Sequence, residues 1–414
     1  MHITSQVARA SALLLVLLVA GCGGGSSEPL TGGQSVLLPS ARNGDPEGHT
    51  GQPPDAVPSD PGSATDTPEP PPVDPSQDDP PAEPPQDDPP PDDPVPDPVV
   101  ACPAITDCLD LGRSTVAFYK GGKKAAASYT FDDGYESSFA IASMFEARGL
   151  HASFYIVPMT VEDGAWSAWK DLHARGHEIG NHSMTHTIDL GLPETTDAQL
   201  VTEITDSQRV ITDRLGVEPQ VFAFPWHSST AAARALALST HFAIRTSTPD
   251  MPFTLAFFDQ EHGTPDVVMA TVNRQLDETI AAGGWYVAAG HGIDGDGWSP
   301  VTGKFLSDHL DYAQRYNKLW IDTFLNVARY QTCRNQATVM VEYSSSLQVK
   351  VKLDGEFDSI CTEPLTLKIP TLMSGVLDVV AHDESGAQLP LKKIKGALTL
   401  DVLPGQTVTL EAAR

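Results

Sequence analysis

The sequence contains few basic residues for its length. Its 414 residues include 26 Lys and Arg against 54 Asp and Glu, so the formal net charge at pH 7 is −28. A strongly acidic chain is repelled by phosphate backbones and by anionic surfaces. We therefore expect no nucleic-acid partner and no electrostatic attachment to an anionic surface.

The sequence also lacks a long hydrophobic run. The apolar stretch ALLLVLLVAG at residues 12–21 is too short to span a bilayer, and it predicts a secretory signal peptide at residues 1–22. The ending LVAGC resembles a bacterial lipobox, in which Cys22 becomes lipid-modified. A lipid anchor would place the protein in the cell envelope, on the outer membrane facing the periplasm or on the cell surface. The alternative is an ordinary cleaved signal with a free Cys22.

Residues 23–100 offer almost nothing apolar to bury. They hold 22 of the 35 prolines, with 16 acidic residues and Arg42 as their one Lys or Arg. Such a composition cannot offset the entropy cost of folding, and proline and like charges both extend the chain. We expect a disordered, acidic tether.

Cysteine is scarce as well. Besides Cys22, the four cysteines are Cys102, Cys108, Cys333 and Cys361. An even number in an exported chain predicts two disulfides, most simply Cys102–Cys108 and Cys333–Cys361, although spacing alone does not fix the pairing. The spacing argues against a zinc site built from cysteines.

Two different patterns divide the rest of the chain. In residues 101–332, buried strands such as AAASYTF (125–131) alternate with helical segments, including a long amphipathic helix over 196–216. This α/β alternation predicts a parallel sheet closed towards a barrel, with its chemistry at the carboxyl ends of the strands. Residues 333–414 consist of short strands separated by turns, and they predict a small all-β sandwich that serves for packing or spacing rather than for sugar binding.

Two predicted strands end in groups that could bind a cation. Asp132 and Asp133 end the first strand, and His182 and His186 follow the third at a spacing of four. An HxxxH pair alone is also typical of a solvated helix face. Together with a carboxylate at another strand end it predicts a metal site, and two His with one Asp leave Zn²⁺ an open position for water.

These residues carry a family resemblance. YTFDDG (129–134) followed by NHSMTH (181–186) resembles the first two motifs of the polysaccharide deacetylases, the NodB-homology, metal-dependent hydrolases of carbohydrate esterase family four. The resemblance covers about residues 112–332 and implies a distorted (β/α) barrel with a bound divalent metal, for which we expect Zn²⁺. It further implies that Asp132 is the general base and that the metal ligands are Asp133, His182 and His186.

The third motif departs from the family pattern. In FAFPWH (222–227), Pro225 matches and Trp226 takes the aromatic place, whose backbone N–H is the family's oxyanion donor. Ala223 stands where an Arg is usual, and Arg245 is a candidate replacement from the next strand. His227 replaces a glycine and is either a substrate contact or a turn residue.

The fourth motif is not recognisable, since RTSTPD offers only Asp250, to which we assign no role.

The fifth motif is clearer, because WYVAAGHGIDGDGW places His291 at a strand end, where the family has its general acid. Asp294 or Asp296 could orient that imidazole. Trp298 could stack on a sugar ring or serve only in packing.

The resemblance implies a hydrolase that removes acetyl groups from an acetylated polysaccharide outside the cytoplasm. Polymers of N-acetyl hexosamine are favoured over O-acetyl xylan, but no residue distinguishes an amide from an ester. Two alternatives stay open. A weak or inactive glycan-binding surface lipoprotein is favoured by the altered third and fourth motifs. A C–N hydrolase of small molecules fits the tether and the sandwich less well than a large external substrate does.

Overall fold

The computed structural model describes residues 97–413. The predicted signal peptide, the lipidation of Cys22 and all but the last four residues of the predicted tether lie outside the described residues. Among the helices of the described part, none combines the length and the apolar character that crossing a bilayer requires.

The described residues form strands and helices in alternation up to Gln336 and strands thereafter. The strands are β1 Val99–Val100, β2 Thr115–Val116, β3 Ala125–Asp133, β4 Ser153–Ile156, β5 Glu178–Asn181, β6 Val221–Ala223, β7 Ala243–Arg245, β8 Thr254–Phe258, β9 Trp285–Gly290, β10 Leu319–Ile321, β11 Thr338–Tyr343, β12 Gln348–Asp354, β13 Leu365–Pro370, β14 Val376–Leu377, β15 Val379–His382, β16 Gln388–Leu389, β17 Lys392–Ile394, β18 Ala397–Val402 and β19 Thr407–Ala412. The α-helices are α1 Ile105–Cys108, α2 Ser138–Glu146, α3 Trp166–Ala174, α4 Asp197–Leu200, α5 Ser207–Leu215, α6 Ala231–Thr240, α7 Pro265–Ala282, α8 Gly303–Gln314 and α9 Phe324–Gln336.

The first large sheet is parallel throughout. Its strand order is β7-β6-β5-β4-β3-β9-β8, and β10 pairs with the first residues of β3. β7 and β8 are the edges, and the described residues show no hydrogen-bonded pairing between them. The predicted distorted (β/α) barrel is thereby confirmed, in an open form with a seam between β7 and β8.

The central strand β3 explains where the site lies. Alternate side chains of β3, namely Ala125, Ala127, Tyr129 and Phe131, pack into the core shared with the surrounding helices. Because side chains alternate along a strand, Thr130 and Asp132 face the other way, into the barrel. Both are buried, and Asp132 lies at the carboxyl end, where a barrel gathers its chemistry.

The long helix predicted over 196–216 is interrupted. It consists of α4, a π-helical turn at Val201–Asp206, and α5. Periodicity predicted the helix correctly but not the wider turn, which changes the direction of the side chains it contains. Such turns are frequent at functional sites.

At the amino end of the sheet, a buried acid joins β5, β4 and α9. Glu178 Oε2 accepts hydrogen bonds from Ser153 Oγ at 2.7 Å and from the Leu325 backbone N–H at 2.9 Å. Burial raises the pKa of Glu178 to about 7, although both hydrogen bonds and Arg329 act in the opposite direction. The folded protein therefore holds this proton more tightly than the unfolded chain does.

We expect Glu178→Gln to stabilise the protein above pH 7. Since the folded pKa lies above the unfolded one, the stability contributed by Glu178 is complete below about pH 4.5 and is lost as the pH rises to about 7. The loss is at most about 3 kcal/mol, at about 1.4 kcal/mol per tenfold change in proton affinity. A glutamine keeps the accepting oxygen without the charge. Thermal unfolding of both proteins should show the largest difference at pH 8 and little at pH 5; an equal difference at both values would contradict this account.

The C-terminal part is the predicted all-β sandwich. One sheet has the order β11-β12-β19-β15-β16, and the other has the order β17-β18-β13-β2. Buried aliphatic side chains from both sheets form its core. Both predicted disulfides, Cys102–Cys108 and Cys333–Cys361, are present.

The segment before the barrel also belongs to this β region. β1 pairs with β14 and β2 pairs with β13, while Ile105, Leu109 and Leu111 join the sandwich core. The last two residues of the predicted tether are therefore part of a β-strand, because two apolar valines follow its last proline and find a partner strand. The boundary predicted at 332/333 stays a prediction.

Candidate active site

One cavity of about 570 Å³ opens at the carboxyl ends of the parallel strands. Its volume is typical of small-molecule sites. Eight of the residues singled out from the sequence line this cavity: Asp132, Asp133, His182, His186, Trp226, His227, His291 and Trp298. Arg245 lies behind the wall, fully buried.

Three of these side chains could hold a metal ion. Asp133 Oδ1 lies 3.6 Å from Nε2 of His182 and 3.6 Å from Nε2 of His186. Ligand atoms about 2.0–2.1 Å from a tetrahedral zinc are expected roughly 3.4 Å apart, so the donor set and its spacing fit a small divalent cation. His182 Nδ1 donates to the Ala223 carbonyl oxygen at 2.8 Å, which leaves Nε2 free to coordinate.

The backbone turns sharply where these ligands leave their strands. Asp133 has a φ of 71° and Gly134 one of 77°, so Asp133 departs from the alternation that would send its side chain to the opposite face. A side chain at Gly134 would also press on Ile156, with a Cβ only 3.0 Å from Cγ2. His186 has a φ of 56°. Such left-handed backbone in residues other than glycine is strained and is typical of functional sites.

A buried acid that the sequence did not reveal holds the loop of the two histidines. Glu203, in the π-helical turn, accepts hydrogen bonds from the Thr185 N–H at 2.9 Å and from Thr185 Oγ1 at 2.8 Å. Its own carbonyl oxygen accepts from the Met184 N–H at 3.1 Å. These three hydrogen bonds attach the loop of the two histidines to the π-helical turn. The only hint of this role in the sequence was the presence of an acidic residue, Glu203, within the segment predicted as an amphipathic helix.

Asp132 forms a buried ion pair with Arg245. Nη2 of Arg245 donates to Asp132 Oδ2, while Nη1 donates to Thr130 Oγ1 at 2.7 Å, and the guanidinium lies 5.0 Å from the Tyr155 ring centroid. Burial by itself would raise the pKa of Asp132, but the charges of Arg245, His182 and His291 lower it below its usual range. Oδ1 of Asp132 is buried and has no hydrogen-bond partner among the described residues. This oxygen is available to accept a proton.

Arg245 lies beside Ala223, the position at which the expected arginine is missing. Ala223 on β6 is the register partner of Arg245 on β7, so the two positions are direct neighbours in the sheet. The long Arg245 side chain reaches from that neighbouring strand to the Asp132 carboxylate. The structure therefore brings the two residues together, while the catalytic role of Arg245 stays a prediction.

Trp226 and His227 follow β6 in a strained turn, with φ values of 50° and 55°. Trp226 is 54% exposed, and its ring packs edge-on against His186, with centroids 4.6 Å apart. Burial, with a contribution from the Arg245 charge, lowers the pKa of His227 to about 3, so its imidazole is neutral. Nδ1 of His227 is buried without a partner among the described residues.

His291 lies beside the exposed Trp298, with ring centroids 4.9 Å apart. The two acids suggested to orient it are engaged elsewhere, because Asp294 accepts from the Gly303 N–H and Asp296 from the Ser137 N–H. Nδ1 of His291 is buried and has no partner in the described part of the chain. Asp296 instead fastens the loop after β9 to the loop after β3.

Four cavity residues from β8 and the loop after it were not among the site residues predicted from the sequence. Phe257, Asp259, Glu261 and His262 all line the cavity, whereas Asp250 is exposed and does not. The sequence feature that could have identified them is TLAFFDQEH (254–262), an apolar segment followed by an acidic residue, because β3 also ends in acidic residues.

The fold and the site define a class: an open, parallel β/α barrel with a possible metal site and a buried acid at the carboxyl ends of its strands. Comparison with protein families agrees, since residues 119–244 match the family model "Polysaccharide deacetylase". This match supports a polysaccharide deacetylase domain in that part of the chain. It includes Asp132, Asp133 and both candidate His ligands, but it ends one residue before Arg245 and does not reach His291.

Individual similar proteins are more distant. A gellan lyase from Bacillus sp. is 25% identical in an alignment of 289 residues, and the alignment covers 62% of this chain but 11% of that protein. Two solved structures are a probable polysaccharide deacetylase from Pseudomonas aeruginosa PAO1, at 13% identity, and a putative one from Mycobacterium smegmatis, at 16%. They cover 52% and 56% of this chain and 93% and 98% of their own, each with a TM-score of 0.43. Similarity at that level establishes no function.

Proposed function

We propose that this protein is a metal-dependent deacetylase of the carbohydrate esterase family four type, acting on an acetylated polysaccharide. The observation that carries the proposal is the convergence in one cavity of three groups. These are the possible metal site, the buried carboxylate of Asp132 and the imidazole of His291.

The contacts of each residue suggest its role in the reaction. Asp133, His182 and His186 would hold the ion, which when bound acidifies its water and polarises the acetyl carbonyl. Asp132 takes the proton of the attacking water at Oδ1, while Arg245 holds Oδ2. The Trp226 backbone N–H stabilises the oxyanion, and His291 protonates the leaving amine or alkoxide. Acetate leaves the site.

The substrate proposed is a polymer of N-acetyl hexosamine in preference to an O-acetylated xylan. The exposed rings of Trp226 and Trp298 offer faces on which sugars can stack at the cavity mouth. The lipid anchor at Cys22 and the cell-envelope location rest on the sequence alone and are part of the same proposal.

A catalytically weak glycan-binding protein is the second candidate. The observations that favour it are the absence of an arginine at Ala223 and the lack of a hydrogen-bonded partner on Nδ1 of His291 in the described residues. Arg245, in contact with Asp132, supports the enzyme instead.

Acetate release distinguishes the two candidates. The metal-loaded protein is incubated with chitooligosaccharides, peptidoglycan fragments, a β-1,6-glucosamine polymer and acetylxylan, with metal content determined in parallel. We expect acetate from at least one glucosamine polymer, and none after chelation or in His182→Ala, which should also bind less metal. No acetate from any substrate by the metal-loaded protein would reject the deacetylase, and retained glycan affinity would then favour the binding protein.

A further inference from the structure

The loop after β8 fixes one imidazole at the mouth of the cavity. Asp259, only 3% exposed, accepts three hydrogen bonds at Oδ1. They come from the Glu261 N–H at 3.0 Å, the His262 N–H at 3.3 Å and His262 Nδ1 at 2.6 Å. The buried carboxylate thus closes a tight turn that brings the His262 ring back over β8.

A second contact fixes the same ring by its face. The His262 ring stacks on Phe257, with centroids 5.2 Å apart and an interplanar angle of 5°. Phe257 in turn contacts the His227 ring at 5.0 Å. Since His227 follows β6 and Phe257 lies on β8, this row of three rings crosses the open seam of the barrel at the cavity wall.

The His262 side chain remains 56% exposed although two neighbours restrain it. An exposed side chain ordinarily keeps its rotamer freedom, and a ligand that binds it must offset the loss of that freedom. Here the folded protein has already fixed the ring. Because Nδ1 must carry a hydrogen to donate to Asp259, the other ring nitrogen, Nε2, is the one left for a ligand.

We infer that His262, positioned by Asp259 and Phe257, is a substrate-binding residue that accepts a hydrogen bond from a sugar hydroxyl through Nε2. The inference rests on the proposed function for the identity of the ligand, a neutral, hydroxyl-rich glycan. His262 takes no part in the bond cleavage, since the base and the acid are assigned elsewhere in the cavity. Its effect is on binding and on the choice among glycans.

The test compares three variants at one position. His262→Phe keeps a ring to stack on Phe257 and removes both nitrogens, His262→Ala removes the ring, and His262→Gln places an amide near the position of Nε2. We expect His262→Phe to raise KM roughly five- to tenfold, the effect of one lost neutral hydrogen bond, with kcat within about twofold of wild type. His262→Gln should recover part of the affinity. Each variant removes the Nδ1 hydrogen bond to the buried Asp259, so thermal stability should fall in all three, and a fall in stability alone does not count as support. His382→Phe on β15, outside the cavity, is the matched control.

Binding is measured separately, by calorimetry on metal-loaded Asp132→Asn with tetra-N-acetylchitotetraose and an acetylated xylo-oligosaccharide as probes. Weaker binding when His262→Phe is added supports the inference even if the wild-type protein releases no acetate. Unchanged KM and unchanged affinity in His262→Phe overturn the inference and leave the deacetylase proposal standing. A protein that neither binds nor deacetylates any probe overturns both.

Discussion

Replacing Asp132 with asparagine is expected to lower kcat by about 10²- to 10⁴-fold, the usual contribution of a general base. Asparagine keeps the shape of the side chain and an oxygen that can accept from Arg245, but it cannot take a proton from water. Asp132 is not one of the three candidate metal ligands, so the metal content should be unchanged. The measurement is acetate release under single-turnover conditions, beside metal analysis of the same sample.

Two controls make this result specific. Asp311→Asn alters an exposed acid that pairs with Arg148 at the surface, and it should leave kcat unchanged. His182→Ala should lose activity together with metal, whereas Asp132→Asn should lose activity alone. Full activity in Asp132→Asn would reject its assignment as the base, and loss of metal in that variant would assign it to coordination instead.

The strand ends explain why so much of the site could be predicted. A parallel barrel brings the carboxyl ends of distant strands to one edge, so DD at the end of β3 and HSMTH after β5 meet although they lie far apart in the sequence. Local pattern was enough to recognise those ends. The candidate role of Arg245 likewise needed only the order of neighbouring strands, and β6 and β7 do pair in that order.

The features that were missed depend on geometry that the local pattern does not contain. Glu203 reaches Thr185 from a π-helical turn, but the apolar residues Leu200, Ile204, Ile211 and Leu215 recur at spacings that also fit an uninterrupted α-helix, so the pattern does not indicate the wider turn. Asp133, His186 and Trp226 have positive φ values, which are uncommon in any residue other than glycine, even in Asp and His where they are enriched, so residue type alone does not predict them at these positions. β1 and β2 pair with strands more than 200 residues away, and nothing in their own sequence specifies such partners.

The second large effect is expected from Arg245→Met. This substitution leaves the Asp132 carboxylate buried without its cation, and breaking one side of a buried ion pair costs about 3–5 kcal/mol of folding free energy. Because Arg245 lowers the pKa of Asp132, its removal raises that pKa, so the acidic limb of the pH profile of kcat/KM should move to higher pH. Metal content should be retained, since Arg245 pairs with Asp132 rather than with a candidate ligand. Chemical denaturation, the pH profile and metal analysis measure the three effects.

The double variant Arg245→Met/Asp132→Asn separates the ion pair from simple loss of packing. Removing both charges should restore part of the stability lost in Arg245→Met, because no uncompensated carboxylate is then buried. Arg274→Met, which breaks an exposed pair with Glu278, should cost less than about 1 kcal/mol and shift no pH profile. If the two effects at 245 and 132 simply add, or if the acidic limb stays in place, Arg245 does not act through Asp132. Arg245 would then be a packing residue, and the arginine missing at Ala223 would have no substitute in this barrel.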